Sequence, residues 1–331
     1  MVMELILIAL GLALLTCGAD LLVSSSIRIA ERLGIPDRIA GLTICAVGTA
    51  MPEVFVSATS AIEGHAEVAF GNVVGSCMAN LLLILGLSAV ISPLGLSRRT
   101  QRFEIPASVA AIGALAFVAN TGHGITFAQG VILLALFAAF IAVTVIEGLR
   151  EGKSGHEDID LLNDRGAIDT EREEARIKGR RGNLAADLLL ITVSIVLLKV
   201  GADLVVDHAI AIAGTLGVSE RVVGITIVAV GTCLPELVTS IVAASKGNTD
   251  LAVGNVVGSN IANVLLVMGV PALFATVPYP ASYNLDLALL AAFSLALVGC
   301  AFIGPRHTFT RRNGVVFVMC YVAYIALAAL L

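Results

Sequence analysis

Apolar runs of about 20–25 residues, the length that crosses a bilayer, follow one another along almost the whole chain with short polar punctuation between them. Read against the glycines, prolines and charges, these runs predict ten helices. The first half holds approximately 3–30, 37–63, 66–92, 104–120 and 125–149. The second holds approximately 184–212, 220–246, 249–276, 284–304 and 312–331. One polar stretch interrupts the pattern, Arg150 to Gly182, with nine acids and eight bases; it reads as a solvated linker. The expected organisation is a first five-helix unit at 1–149, a charged loop at 150–183 and a second five-helix unit at 184–331.

Composition strengthens that picture. Of 331 residues, 58% are hydrophobic and only 14% charged, with a mean hydropathy of +0.97. Soluble domains carry about 25% charged residues, so a water-soluble globular protein is excluded. The formal charge of -5 offers no basic face for nucleic acid. All six cysteines, Cys17, Cys45, Cys77, Cys233, Cys300 and Cys320, lie inside apolar runs, without the clustering of a zinc site or a disulfide framework. The first run lacks a positive n-region, and a near copy recurs mid-chain, so it reads as a retained helix. The expected class is an all-α polytopic membrane protein.

The chain repeats itself. Residues 48–86, GTAMPEVFVSATSAIEGHAEVAFGNVVGSCMANLLLILG, align without a gap on residues 231–269, GTCLPELVTSIVAASKGNTDLAVGNVVGSNIANVLLVMG. The offset is 183, and about half the positions are identical. Gly18-Ala19-Asp20 maps onto Gly201-Ala202-Asp203 at the same offset. Shared apolar composition aligns leucines and valines; it does not align Gly, Pro, Glu, Ser and Asn in register. Five helices per unit is an odd number, so the two units enter the membrane from opposite sides, the inverted-repeat plan of many secondary transporters.

Positive charge then predicts the orientation. With the linker inside, the short inside loops hold Arg28, Arg32, Arg38, Arg98, Arg99, Arg102, Lys246, Arg306, Arg311 and Arg312. The outside loops hold only Arg221, and Lys199 lies mid-helix. Both termini are expected outside, in a multi-pass protein of the cell membrane.

The sharpest chemical signal is Gly48-Thr49-Ala50-Met51-Pro52-Glu53, repeated as Gly231-Thr232-Cys233-Leu234-Pro235-Glu236. A proline inside a helix removes one amide and clashes with the carbonyl four residues back. That loosens the carbonyls of Gly48 and Thr49, and of Gly231 and Thr232. Irregular backbone at membrane depth survives only where it lines a cavity or is buried in protein, and the adjacent glutamate needs a partner when ionised. Freed carbonyls and carboxylates are the oxygen ligands that hard cations select. The alternative is a kink with a protonated, hydrogen-bonded carboxyl, and two symmetric copies argue against it. On the next helix Asn72, Ser76 and Asn80, like Asn255, Ser259 and Asn263, recur at i, i+4 and i+8 as one polar stripe. Gly71 and Gly75, like Gly254 and Gly258, form small-xxx-small pairs suited to close helix approach. Ser76, Ser259, Asn80 and Asn263 are favoured as ligands; Asn72 and Asn255 stand equally well as interhelical hydrogen-bond glue.

The paired GTxxPE and GNVxGSxxxN patterns resemble the alpha-repeats of the cation/calcium exchanger superfamily, nearest its sodium/calcium exchanger branch, and the similarity covers all ten predicted helices. The resemblance implies four central helices around a cluster of cation sites. It implies ligands in the carboxylates of Glu53 and Glu236, carbonyl or hydroxyl oxygens of Thr49 and Thr232, carbonyls of Ala46 and Ala229, and side chains of Ser76, Ser259, Asn80 and Asn263. It also implies first and sixth helices that slide across the core. No cofactor and no obligate protein partner are implied, only inorganic cations and the lipid bilayer. Two departures stand out: the family serine after the threonine, which lines sodium positions flanking the central calcium position, is Ala50 in one copy and Cys233 in the other. Alanine offers no side-chain oxygen, and a sulfur is a poor ligand for a hard ion. Asparagine rather than aspartate at 80 and 263 argues against potassium co-transport.

The expected function is therefore exchange of calcium for sodium by alternating access, not catalysis. Proton-coupled exchange is the alternative, and a passive cation channel is the reading from another class. An intramembrane protease using the paired acids fits the Pro-Glu context less well. Asp20 and Asp203 read as pairing groups, and Lys199, four residues before Asp203, as its ion-pair partner. The histidines, His65, His123, His156, His208 and His307, read as surface residues. Asp158, Asp160 and Asp164 superficially resemble a calcium loop, but Leu162 stands where a further oxygen is required.

Overall fold

A computed structural model describes residues 2–64, 66–121, 124–154, 183–215, 231–279, 281, 283–302 and 307–330. The chain opens with α1 (Val2–Leu33). Next come α2 (Asp37–Ala40), a π-helical stretch Gly41–Cys45 and α3 (Ala46–Thr49), then α4 (Met51–Ile62). A third segment runs as α5 (Ala66–Met78), a π-helical stretch Ala79–Ile84 and α6 (Leu85–Ile91). Another π-helical stretch, Thr100–Glu104, leads into α7 (Ile105–Asn120), and α8 spans Phe127–Ser154. The second half holds α9 (Leu184–Thr215) and α10 (Leu234–Ser245). It continues with α11 (Thr249–Ala262), a π-helical stretch Asn263–Val267, α12 (Tyr283–Phe302) and α13 (Arg311–Leu330). Among the described residues seven helices are long and apolar enough to cross a membrane, eight if the bent pair Asp37–Thr49 and Met51–Ile62 is one span. The protein is an all-α, multi-pass membrane protein.

Burial separates the helices into two classes. In Thr249–Leu273 83% of the most apolar window is buried, and in Ala69–Ile91 72%, against 22% in Phe127–Arg150, Leu184–Ile212 and Tyr283–Cys300. The first two are central; the others form the wall. Leu5, Ile6 and Leu10 on α1, Leu188 and Leu189 on α9 and Phe117 on α7 stand exposed, as lipid-facing side chains do. The buried centre is where the polar residues gather: Thr49, Glu53, Ser57, Ser76, Asn80, Glu236, Ser240, Asn255, Ser259 and Asn263.

The wall helices α1 and α9 lie antiparallel along one another. A Cβ built on Gly11 would stand 2.8 Å from the Gly201 carbonyl oxygen, and one on Gly201 2.8 Å from that of Gly11, so the two backbones touch where neither has a side chain. Both ends are tied by charge. Arg28 and Arg32 of α1 hold the Asp187 carboxylate of α9 at 2.7 and 2.9 Å, and at the other end His208 of α9 pairs with Glu4 of α1. His208, expected at a loop surface, thus sits within a helix as a contact group.

The 183-residue offset reappears in small details. Strand β1 (Leu94–Gly95) pairs antiparallel with β2 (Thr308–Phe309), and an isolated bridge joins Ile125 to Val277, residues that map onto Thr308 and Leu94. The π-helical stretches Ala79–Ile84 and Asn263–Val267 occupy matching positions in the two halves.

Bases expected on one side of the membrane make contacts that reach between helices. Lys246 Nζ lies 2.6 Å from Asp20 and 3.0 Å from Ser24, and Arg99 pairs with Glu147 of α8. Arg38 Nε meets Glu104 Oε1 at 3.0 Å with that carboxylate only 1% exposed; Thr100 donates to its other oxygen at 2.8 Å. Removing one member of a buried pair costs about 3–5 kcal/mol because the other charge is left uncompensated. Arg38→Gln should therefore lower the melting temperature of the detergent-solubilised protein sharply, and adding Glu104→Gln should recover most of the loss. A double variant melting no higher than the single one would contradict this.

Candidate functional site

Each glutamate stands in the first turn of a half-helix whose entry is broken by proline. Pro52 lies at the start of α4, which departs from the preceding segment by a 42° bend. Pro235 likewise lies at the start of α10, after the turn at Thr232 and Cys233. The N-terminus of a helix presents unpaired amides and the positive end of its dipole, so both carboxylates sit where negative charge is favoured. Glu53, Ser57 and Ala61 form the buried face of α4; Glu236, Thr239, Ser240 and Ala243 form that of α10.

The repeats interdigitate around these two residues. α4 packs on α5 of its own half and on the Asn263–Val267 stretch of the other; α10 packs on α11 and on the Ala79–Ile84 stretch. Asn80 and Asn263 are carried on those two π-helical stretches, a widening often found at functional positions. Glu53 and Glu236 lie within electrostatic reach of one another, and Glu236 neighbours Thr49 from the opposite repeat.

The polar side chains here fall mainly into two groups, although Asn255 Oδ1 is itself without a partner among the described residues. Asn72 Nδ2 donates to Ser57 Oγ at 3.0 Å, and Asn255 Nδ2 to Ser240 Oγ at 2.9 Å. These bonds, related by the repeat offset, make Asn72 and Asn255 the glue between each half-helix and its neighbour. In contrast, both carboxylate oxygens of Glu53 and of Glu236, the hydroxyls of Ser76 and Ser259, and both amide atoms of Asn80 and Asn263 are buried with no hydrogen-bond partner among the described residues. All six of those side chains are 2% exposed or less. Buried polar groups almost always find partners, and leaving one without a partner costs about 1–3 kcal/mol, more when charged. Six orphaned side chains from four segments, all in the two repeated motifs, form the kind of oxygen-rich set that hard cations select.

The remaining candidates are placed less openly. Thr49 Oγ1 donates to the Cys45 carbonyl at 3.0 Å, and its oxygen retains acceptor capacity. The Ala46 carbonyl accepts from Ala50 N at 3.1 Å and, at the longer distance of 3.4 Å, from Thr49 Oγ1. Thr232 is half-buried beside Cys233, its hydroxyl 3.9 Å from the sulfur. Ala229 lies outside the described residues, as do His65, His123, His156, Arg221, Arg306 and the linker residues Asp158, Asp160, Leu162 and Asp164. Thr239 and Asn260, with an orphaned hydroxyl and amide oxygen respectively, were not marked by the motif comparison. Thr239 follows Glu236 at i+3, a spacing that shares its helix face, but its repeat mate is Val56, so symmetry hides it.

Other acids are committed elsewhere. Lys199 Nζ binds Asp203 at 2.5 Å, one helical turn away, and Asp20 is held by Lys246. Among the described residues no three His, Cys, Asp or Glu side chains converge as a metal-holding group. The donor set is thus two carboxylates among neutral oxygens, which suits a hard cation in passage.

Comparison with known proteins agrees with this chemistry. The sequence pattern of the sodium/calcium exchanger protein family matches residues 3–146 and 187–330. The sodium/calcium exchanger MaX1 of Methanosarcina acetivorans is 30% identical over 97% of both chains. The inner membrane protein YrbG of Escherichia coli is 31% identical over 87% of this chain and 86% of its own. A solved structure of the sodium-calcium exchanger NCX_Mj, soaked without sodium or calcium, superposes with a TM-score of 0.81 at 32% identity, covering 98% of this chain and 99% of that one.

Proposed function

Because the chain belongs to the sodium/calcium exchanger family, we propose that it is a secondary antiporter exchanging calcium for sodium at one midplane site by alternating access. The family is one of transporters, and the cargo is inorganic cations. Glu53 and Glu236 supply two negative charges, enough to neutralise one divalent ion or to be shared by monovalent ions. Ser76, Ser259, Asn80 and Asn263, the oxygens of Thr49 and Thr232, and the carbonyls of Ala46 and Ala229 complete the ligand set. The observation that carries this reading is the orphaned state of both carboxylates and the four neutral side chains around them.

Competition for the same oxygens couples the fluxes: calcium and sodium cannot occupy the carboxylates together, so each leaves only as the other replaces it. Where net charge crosses per cycle, the membrane potential adds about 2.3 kcal/mol per charge per 100 mV. The two halves, 1–149 and 184–331, act as inverted five-helix repeats joined by the cytoplasmic 150–183 loop, with ten crossings and both termini outside the cell membrane. The moving body is the α1–α9 pair, whose glycine contact and charged ties at both ends suit two helices that travel as one.

A second reading has its own observation. Ala50 offers no side-chain oxygen at a position that flanks the glutamates, and the mate of Ala50 is Cys233. Weak sodium coordination there would leave protons to neutralise Glu53 and Glu236 instead. The test is radiolabelled calcium uptake into sodium-loaded proteoliposomes, repeated with potassium loading and an imposed proton gradient. Uptake that requires internal sodium is expected. Uptake driven by the proton gradient alone would replace sodium by protons, and flux indifferent to any counter-ion would make the protein a channel.

A further inference from the structure

The two gaps that flank the site, related by the repeat offset, stand in different states. α10 packs along α1, while its mate α4 has no comparable packing on α9, the mate of α1, among the described residues. Thr239 on α10 is fully buried, whereas its mate Val56 on α4 is 37% exposed. One gap is closed and its repeat mate is open. The closed gap is held by charge: Lys246, at the C-terminal cap of α10, reaches Asp20 of α1 at 2.6 Å and Ser24 at 3.0 Å. Of the charged ties described above, it is the one that joins the α1–α9 pair to a half-helix of the core. The offset of 183 carries Lys246 onto Glu63, Asp20 onto Asp203 and Ser24 onto Asp207. Glu63 caps the C-terminus of α4, an end of a helix that favours a base over an acid, and Glu63, Asp203 and Asp207 are all exposed. Closing the open gap by the same packing would set an acid against two acids, where the closed gap sets a base against an acid and a hydroxyl. Lys199, 2.5 Å from Asp203, offsets one of those three charges and leaves two.

We infer that Lys246 latches its gap shut while the acidic counterpart resists closure of the other, so that the ion-free protein rests open on the Glu63 side. The inference rests on the alternating-access reading above and adds the residues that set which face waits for cargo. With the charged linker inside, the Glu63 side is the outer one. Opposite charges favour the closed arrangement and like charges disfavour it. Such a bias shifts the populations of two states and leaves the ligand set itself untouched. Lys246 is therefore a positioning residue, acting through α1 rather than on the cation.

Pulsed dipolar electron spin resonance on the ion-free protein in detergent reads both gaps. Nitroxides are placed on Leu33→Cys and Ser245→Cys across the closed gap, or on Ile62→Cys and Thr215→Cys across the open one. The cysteines that are not buried, Cys17, Cys300 and Cys320, are changed to serine. With Lys246 and Glu63 in place, a single closed distance is expected across the first pair and an open one across the second. Lys246→Gln should enrich the state with the first pair apart by about 2- to 5-fold, the scale of a half-exposed ion pair. The charge exchange Lys246→Glu with Glu63→Lys should reverse the gaps, lengthening the first distance and shortening the second. Loss of a merely structural contact does not produce that reciprocal change. Distances left unchanged by the charge exchange overturn the inference. So do distances in the chain with Lys246 and Glu63 intact that ignore choline chloride at about 1 M, where the screening length falls to about 3 Å, a result that holds even if neither variant folds. Because no ion gradient is involved, absence of sodium-driven calcium uptake would overturn the exchanger reading and leave this result standing.

Discussion

Glu236→Gln is expected to abolish measurable calcium exchange while the protein still folds. The carboxylate is 1% exposed and neither oxygen has a hydrogen-bond partner among the described residues, so on the proposed reading a bound cation supplies the counterpart to its charge. Losing one partner of a buried charge pairing costs about 3–5 kcal/mol, and each 1.4 kcal/mol is tenfold in affinity. Apparent calcium affinity should therefore fall by about two orders of magnitude or more by that conversion. Glu53→Gln should behave alike, since it occupies the matching turn of the other half-helix. Folding is a separate readout. Glutamine is nearly isosteric and removes one of two carboxyls that repel each other when both are ionised, so the melting temperature of the ion-free protein should hold or rise. Radiolabelled calcium uptake in proteoliposomes, paired with thermal unfolding in detergent, separates the two effects. Near-normal uptake in either variant would remove the glutamates from the site.

Much of the fold was legible because the membrane imposes a simple code. Apolar runs, punctuation and odd parity gave helix boundaries that fall within a few residues of α1, α5–α6, α7, α9, α12 and α13. The site was legible for a different reason: two copies of one motif separate positions held by chemistry from positions held by greasiness. That comparison marked six of the side chains left orphaned among the described residues, but not Thr239 or Asn260. It marked Asn72 and Asn255 just as strongly, because a residue conserved between copies for packing looks like one kept for ligation. Their partners Ser57 and Ser240 come from the preceding half-helix, and only three dimensions bring them together. The π-helical widening at Asn80 and Asn263 was invisible, since no residue type marks a five-residue hydrogen-bond step. Nor does sequence alone pair Glu4 with His208, 204 positions apart.

The glycine pairs were legible as a pattern and unequal in use, which leads to the second large effect. A Cβ on Gly254 would stand 2.4 Å from the Arg38 carbonyl oxygen, and one on Gly258 2.7 Å from that of Leu42 and 2.8 Å from the Ala46 Cβ. In the first half a Cβ on Gly71 would stand 3.1 Å from the Tyr283 hydroxyl, and one on Gly75 would meet no atom of a described residue within 4 Å beyond its own helix. Overpacking a core usually costs about 1–3 kcal/mol, but here the obstacle is backbone, which cannot rotate aside. Gly254→Val must push α11 away from α2 and the Gly41–Cys45 stretch, carrying Asn255, Ser259 and Asn263 out of register with the glutamates. The variant is expected to fail to accumulate as a monodisperse protein on size-exclusion chromatography. The smaller Gly258→Ala should fold with a lowered melting temperature and weakened calcium affinity, because its methyl presses on the segment that presents the Ala46 carbonyl. Gly113→Ala on α7, whose added Cβ would meet no atom of a described residue within 4 Å beyond its own helix, supplies the contrast. Alanine is favoured over glycine inside a helix by about 1 kcal/mol, so its melting temperature should hold or rise. If Gly254→Val proves as stable and as active as the unaltered chain, α11 does not lie against α2 at backbone contact. The oxygens it carries would then be held in place by something other than that packing.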